Sequence, residues 1–264
     1  MRRMDVSKLE PADRDPVKLR NTALILTAIM VVGGFAILWA YNRFAEKTSD
    51  TERPSFLSAI GGADEVHILT SDGERRTMED LRGSVVLTFA VTSELAPESE
   101  PTISAVREVL AGFSEKEKRP KLLVFVLDGD EEKPELVAQI LTEFGQEPEV
   151  WRVPASEDRK DSLRAFLKSK IRFGIYPHEK DGKLIYDSQL VLLDQHLQIR
   201  GPVGVPIGWD FEKVAGWERQ YDEAKKTNDE EELVAPKIST EELVKLLKKS
   251  VEYLYENPDE KGQK

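Results

Sequence analysis

Cysteine is absent from all 264 residues. That excludes disulfides, thiol catalysis and thiolate metal ligands, and leaves the redox compartment open. Thioethers are scarce: of four methionines, only Met78 lies beyond the N-terminal apolar run, so no methionine cluster exists to hold a soft metal. The three histidines, His67, His178 and His196, are scattered without companion ligands, and none reads as catalytic or metal-binding. Positive charge is also short. Lys and Arg number 38 against 49 Asp and Glu, a net charge of −11. Nucleic-acid binding needs a basic footprint, so no nucleic-acid partner is expected. The acidity reads as solubility. No Gly-rich phosphate loop, nucleophile elbow or Ser/His/Asp arrangement occurs. Asp128, Asp130, Glu131 and Glu132 make half of a calcium loop, but the terminal Glu of an EF-hand is missing. The expectation is no enzyme, no catalytic residue, no cofactor and no metal.

What the chain does contain begins with residues 22–41 (TALILTAIMVVGGFAILWAY), which carry no charge. About 20 apolar residues cross a hydrocarbon core as a helix, and Trp39 and Tyr41 suit the lipid–water interface. The run is longer than a signal-peptide core and no small-residue cleavage site follows it. Residues 22–41 are therefore read as a single transmembrane helix in contact with the lipid bilayer. Arg2, Arg3, Lys8, Arg14, Lys18 and Arg20 precede it, whereas only Arg43, Lys47 and Arg53 follow closely. That bias predicts a cytoplasmic N-terminus and a main domain in the periplasm or intermembrane space.

The remainder alternates strand and helix patterns. Residues 1–21 form a cytoplasmic segment and 42–60 a polar tether. Strands are predicted at 65–70, 84–91, 121–127 and 150–153, the second as a buried, partly β-branched apolar strand and the third as a continuous apolar run of the kind buried on both faces of a parallel sheet. Helical spacing marks 102–113, 134–144 and 161–170. Residues 77–83 read as one short helical turn. A hairpin is expected with arms 173–176 and 183–186 around Asp181-Gly182, and a second pair at 190–194 and 197–199. A helix over 209–226, an acidic linker and a final amphipathic helix, opened by a capping box from Ser239 to Glu242, complete a C-terminal extension of residues 202–264. The fold class is α/β: a thioredoxin-like domain over 61–201, its mixed central sheet flanked by helices, behind one N-terminal transmembrane helix.

In order and spacing these segments resemble the SCO/SenC family of membrane-anchored copper chaperones. Residues 77–89 (TMEDLRGSVVLTF) look like the family's lead into its active-site strand. Ala96-Pro97-Glu98-Ser99-Glu100-Pro101-Thr102 resembles its Cys-Pro-x-x-Cys-Pro-Thr loop with both cysteines replaced. Val124 to Asp130, Pro134-Glu135-Leu136, Phe144-Gly145 and Trp151 are similar to its next strand and helix. Tyr186-Asp187-Ser188, leading into 190–194 and Ile199-Arg200-Gly201, looks like its histidine segment and following strands.

The resemblance covers roughly residues 65–201. It implies a family whose two loop cysteines and one histidine carry copper, chiefly to cytochrome c oxidase. Here the cysteine positions fall on Ala96 and Glu100, with Pro97 and Pro101 fixing the register. The histidine position falls on Tyr186, or on Asp187 with a shift of one residue. Copper(I) prefers sulfur and imidazole, whereas Glu94, Glu98, Glu100, Tyr186 and Asp187 offer hard oxygen. The chain is thus expected to be a redox-inactive binding or assembly factor for a respiratory oxidase or related membrane complex. The alternative is a copper chaperone for oxidase assembly using non-standard ligands.

Overall fold

A computed structural model describes residues 16–49, 53–95, 99–113, 118–128, 134–144, 150–154, 159–227 and 235–258. They form two units, divided between Thr51 and Glu52.

The first unit is helix α1, Pro16–Ser49. From Pro16 to Trp39 it is the one helix among the described residues long and apolar enough to cross a membrane. Those 24 residues extend about 36 Å at 1.5 Å each. Leu24, Ile29, Phe35, Ile37 and Trp39 are all exposed, as a lipid-facing helix requires. The helix runs to Ser49, so residues 42–49, expected in the tether, are helical. The cationic N-terminal flank before Pro16 lies outside the described residues.

The second unit is built on an eight-stranded mixed sheet in the order β1-β10-β9-β4-β5-β6-β2-β3. Its strands are β1 Ser55–Ala59, β2 His67–Leu69, β3 Arg75–Thr77, β4 Val86–Val91, β5 Lys121–Val126, β6 Val150–Pro154, β9 Val191–Leu193 and β10 Gln198–Gly201. Strands β7 His178–Lys180 and β8 Lys183–Ile185 form a separate hairpin. β4, β5 and β6 are parallel, and β9 runs antiparallel to β4. The sequence β4–α2–β5, then β9–β10 laid on the other side of β4, is the thioredoxin-like core expected from the sequence. Helices α2 Glu100–Ala111, α3 Pro134–Phe144, α4 Lys160–Phe166, α5 Phe211–Thr227 and α6 Thr240–Glu256 flank it.

β4 divides two cores by the alternation of its side chains. Leu87, Phe89 and Val91 join one core with Ile103, Val106 and Val109 of α2, Phe144 of α3, Phe211 of α5, and Leu243 and Leu247 of α6. Phe89 meets Phe144 edge to face at 5.7 Å, a favourable geometry for two rings. Val86 and Ala90 join the other core with Phe125, Leu163, Leu167, Phe173 and Ile199. Each large apolar side chain so buried contributes roughly 1.5–3 kcal/mol.

Several boundaries differ from the sequence reading. Residues 55–59, placed in the tether, form β1 and pair with β10. Residues 75–77 form β3, an edge strand too short and polar to show periodicity. The hairpin's first arm is 178–180 rather than 173–176, because Phe173 is drawn into the core at 1% exposure. Residues 202–264 are no appendage: Trp209, Phe211, Val214 and the inner face of α6 complete the first core. The capping box appears as expected, with the Ser239 hydroxyl accepting from the Glu242 N–H.

One buried ion pair ties the β9–β10 turn. Arg200 and Asp194 are both 1% exposed. The guanidinium meets Asp194 Oδ2 at 2.8 Å through Nε and 2.7 Å through Nη2. Asp194 Oδ1 also accepts the N–H groups of His196 and Gln198, each at 2.9 Å. The Trp209 indole N–H donates to the Arg200 carbonyl at 2.8 Å, joining α5's approach to the same turn. Removing one partner strands a buried charge. Asp194→Ala is therefore expected to cost about 3–5 kcal/mol, read as a fall in the thermal midpoint of the full chain in detergent. An unchanged midpoint would refute this role.

Candidate functional site

The parallel strands β4 and β5 end at one edge of the sheet, the place where open α/β sheets present ligand sites. A groove of about 1330 Å³ lies there, bounded by Glu94, Asp128, Tyr186, Asp187, Asp210 and Glu212 among others. Its geometry starts with the turn after β4. Asp128, just past β5, holds Ser93 twice: Oδ1 accepts the backbone N–H at 2.6 Å and Oδ2 the hydroxyl at 2.9 Å. The Leu95 N–H closes the turn on the Thr92 carbonyl at 3.0 Å. Leu95 itself is left-handed, φ 48°, a conformation that costs an L-residue roughly 1–2 kcal/mol. Ala96, Pro97 and Glu98 lie outside the described residues.

The chain resumes at Ser99, which precedes α2 as its N-cap but makes no side-chain cap bond. Its fully buried hydroxyl instead shares a hydrogen bond with the Tyr186 hydroxyl at 2.7 Å. Proline at position 101 removes one of the N–H groups that a capping serine would serve. Thr102 strengthens the same junction, donating to the Ser188 carbonyl at 2.8 Å. The Ser188 hydroxyl donates to Glu212 Oε2 at 2.6 Å. A continuous polar chain thus runs from α2 through segment 186–189 to α5.

The two alternatives for the family's histidine separate clearly in space. Tyr186 reaches the residue before α2. Asp187 is engaged locally: Oδ1 accepts the Gln189 N–H at 2.9 Å, and Oδ2 accepts that of Gly174. A Cβ at Gly174 would stand 2.8 Å from that carboxylate oxygen, so the approach requires glycine. Glu100 lies exposed on the first turn of α2, with Arg107 Nη1 3.6 Å away. His67 is exposed on β2, and His178 is exposed on β7 with its Nδ1 2.8 Å from the Tyr176 carbonyl. His196 sits in the β9–β10 turn, where its carbonyl accepts from Arg82 Nη1 at 2.9 Å.

Among the described residues, no three His, Asp or Glu side chains are placed to hold a metal. The donors that do converge, two neutral hydroxyls, do not suit soft copper(I). Asp210, half-buried at the groove's edge, has its carboxyl pushed up from the usual range by burial. The Lys213 N–H, donating to Asp210 at 3.0 Å, opposes that rise, and the negative charges of Asp187 and Glu212 add to it.

Ser99, Asp128, Ser188 and Glu212 were not singled out from the sequence as site residues. The sequence signals were slight: Ser99 is a capping type of residue two places before Pro101, Asp128 belongs to the incomplete calcium-loop pattern, and Ser188 lies in the segment resembling the family's histidine segment. Their contacts span long separations that no spacing reveals.

Comparison with known proteins found no matching family model and no matching curated protein. Similar solved structures include a SCO1/SenC family lipoprotein from Bacillus anthracis, 14% identical, covering 63% of this chain and 95% of that one at TM-score 0.45. Copper-bound ScoI from Bradyrhizobium japonicum is 17% identical, covering 62% and 99% at TM-score 0.42. Copper-bound yeast Sco1 is 17% identical, covering 67% and 97% at TM-score 0.42. Identities of this size, with TM-scores below 0.5, decide nothing about the chemistry of the present chain.

Tyr186→Phe removes the partner of a buried hydroxyl. The expected loss is about 1–3 kcal/mol, the cost of an unsatisfied buried donor. Tyr186→Phe combined with Ser99→Ala is expected to recover much of it in a thermal double-mutant cycle. Strictly additive losses would show that the two hydroxyls do not interact.

Proposed function

We propose that this protein is a membrane-anchored, redox-inactive binding or assembly factor of SCO/SenC type, acting on a respiratory oxidase or a related membrane complex. α1 crosses the bilayer once with its N-terminus cytoplasmic, and the domain works on the periplasmic or intermembrane-space side. The observation that carries the reading is the Ser99–Tyr186 hydrogen bond. Tyr186 stands in the segment that resembles the family's histidine segment, and it reaches the loop that resembles the family's cysteine loop. The Ser99 and Tyr186 hydroxyls join the two segments, and hydroxyls at neutral pH neither ligate copper(I) strongly nor exchange disulfides. What remains is a shaped groove of about 1330 Å³ with mixed charge around it, suited to recognising a partner. The oxidase itself follows from the sequence resemblance.

Two measurements test this on the full-length protein in detergent. Competition with a copper(I) chelator probe is expected to show no uptake. Affinity capture from solubilised membranes is expected to bring down oxidase subunits. Tight, stoichiometric copper uptake would overturn the redox-inactive reading in favour of a chaperone with non-standard ligands. Capture of an unrelated complex would overturn the oxidase assignment.

A further inference from the structure

Outside α1, the exposed large apolar side chains among the described residues are Leu57, Ile175, Tyr176 and Ile185. Three of these four belong to the β7–β8 hairpin and its approach. The hairpin pairs His178 with Ile185, Glu179 with Leu184 and Lys180 with Lys183. Cross-strand partners share a face, and alternate residues switch faces. Glu179 and Leu184 therefore face one way: Leu184 packs on the second core, and Glu179 lies 3.5 Å from Arg164 Nη2. His178, Lys180, Lys183 and Ile185 face the other way and are all exposed.

That outward face carries two features that work against an isolated hairpin in water. Lys180 and Lys183 stand directly opposite one another, and like charges in that position repel. Ile185 is left uncovered there at 36% exposure, and Tyr176 and Ile175, in the approach just before the hairpin, are left at 41% and 42%. Both are satisfied by one kind of surface, which is anionic and has an apolar layer beneath. The local charge agrees. From Lys168 to Ile185 there are five basic and two acidic residues, in a chain of net charge −11. One of those acids, Glu179, points to Arg164, and Asp181 lies in the turn. The hairpin's base is fixed, since Lys168 Nζ donates to the Gly174 carbonyl at 2.6 Å.

We propose that the outward face of the β7–β8 hairpin docks on an anionic lipid surface, with Lys180 and Lys183 meeting headgroup phosphates and Ile175, Tyr176 and Ile185 entering the interface. Apolar side chains interleaved with lysines favour that boundary. This contact is separate from the anchoring by α1; Ile175, Lys183 and Ile185 also line the groove described above, so a lipid surface and a groove-bound partner compete for them.

The absence of cysteine makes the test clean. Ile185→Cys and, as a control on the exposed side of α5, Asp222→Cys are each labelled with an environment-sensitive dye. The full chain is placed in nanodiscs of phosphatidylcholine, with or without phosphatidylglycerol, carrying a spin-labelled quenching lipid. Quenching at position 185 is expected in anionic discs, well above that at 222 and above that in neutral discs. Neutralising Lys180→Gln or Lys183→Gln in the Ile185→Cys background is expected to lower the ratio of docked to free hairpin about fivefold for each lysine. Equal quenching in neutral and anionic discs, or quenching at 185 no greater than at 222, overturns the proposal. So does a response that appears only on adding a membrane extract, which would mean a protein occupant.

Discussion

Val86 to Val91 have no solvent-facing side. Leu87, Phe89 and Val91 enter the core beneath α2, α5 and α6, while Val86 and Ala90 enter the core beside α4. A strand buried on both faces must be paired on both edges, because its N–H and C=O groups have no water to meet. β5 satisfies one edge in parallel and β9 the other in antiparallel. From that constraint the remainder follows. The loop after β4 emerges beside Asp128 at the end of β5, α2 is laid across the first core, and the 186–189 segment leading to β9 is brought beside the start of α2. The Ser99–Tyr186 contact is therefore a consequence of strand order, not of local sequence.

That explains which parts of the molecule were legible in the chain. The α2 stripe, the α3 helix, the two apolar strands, the capping box at Ser239 and the N-terminal apolar run are local patterns, and each appears where its pattern placed it. β1 and β3 were missed because short edge strands owe their existence to a partner: Ser55 to Ala59 become a strand by pairing with β10. The hairpin arm was misplaced because Phe173 reads as a strand residue, although it serves the core. The C-terminal 63 residues read as an extension because the Gly- and Pro-rich stretch after Gly201 looks like a boundary, while α5 and α6 in fact close the first core. At the site, the spacing of Pro97 and Pro101 carried the resemblance in the sequence, and Pro97 lies outside the described residues. The Ser99–Tyr186 hydrogen bond joins residues 87 apart and left no mark in either neighbourhood.

The polar chain around the groove has the character of a supporting structure. Asp128 fixes Ser93, Thr102 and Ser188 fix the start of α2, and Asp187 fixes Gly174. Each of these side chains is spent on backbone or on a neighbouring hydroxyl. Such a network gives a rigid, preorganised surface, which favours recognition. Fold and function are separable, so the site and not the fold has to carry the functional reading.

The central claim is the one proposed above: the segments that resemble the family's cysteine loop and histidine segment meet through Ser99 and Tyr186 and carry none of the family's ligands. Restoring the ligands tests it most directly. Ala96→Cys, Glu100→Cys and Tyr186→His are introduced together in the full-length protein, and copper(I) uptake is titrated against a chelator probe beside the unsubstituted chain. The account predicts tight, stoichiometric uptake by the triple variant and none by the parent. A triple variant that keeps its thermal transition yet takes up no copper would contradict it.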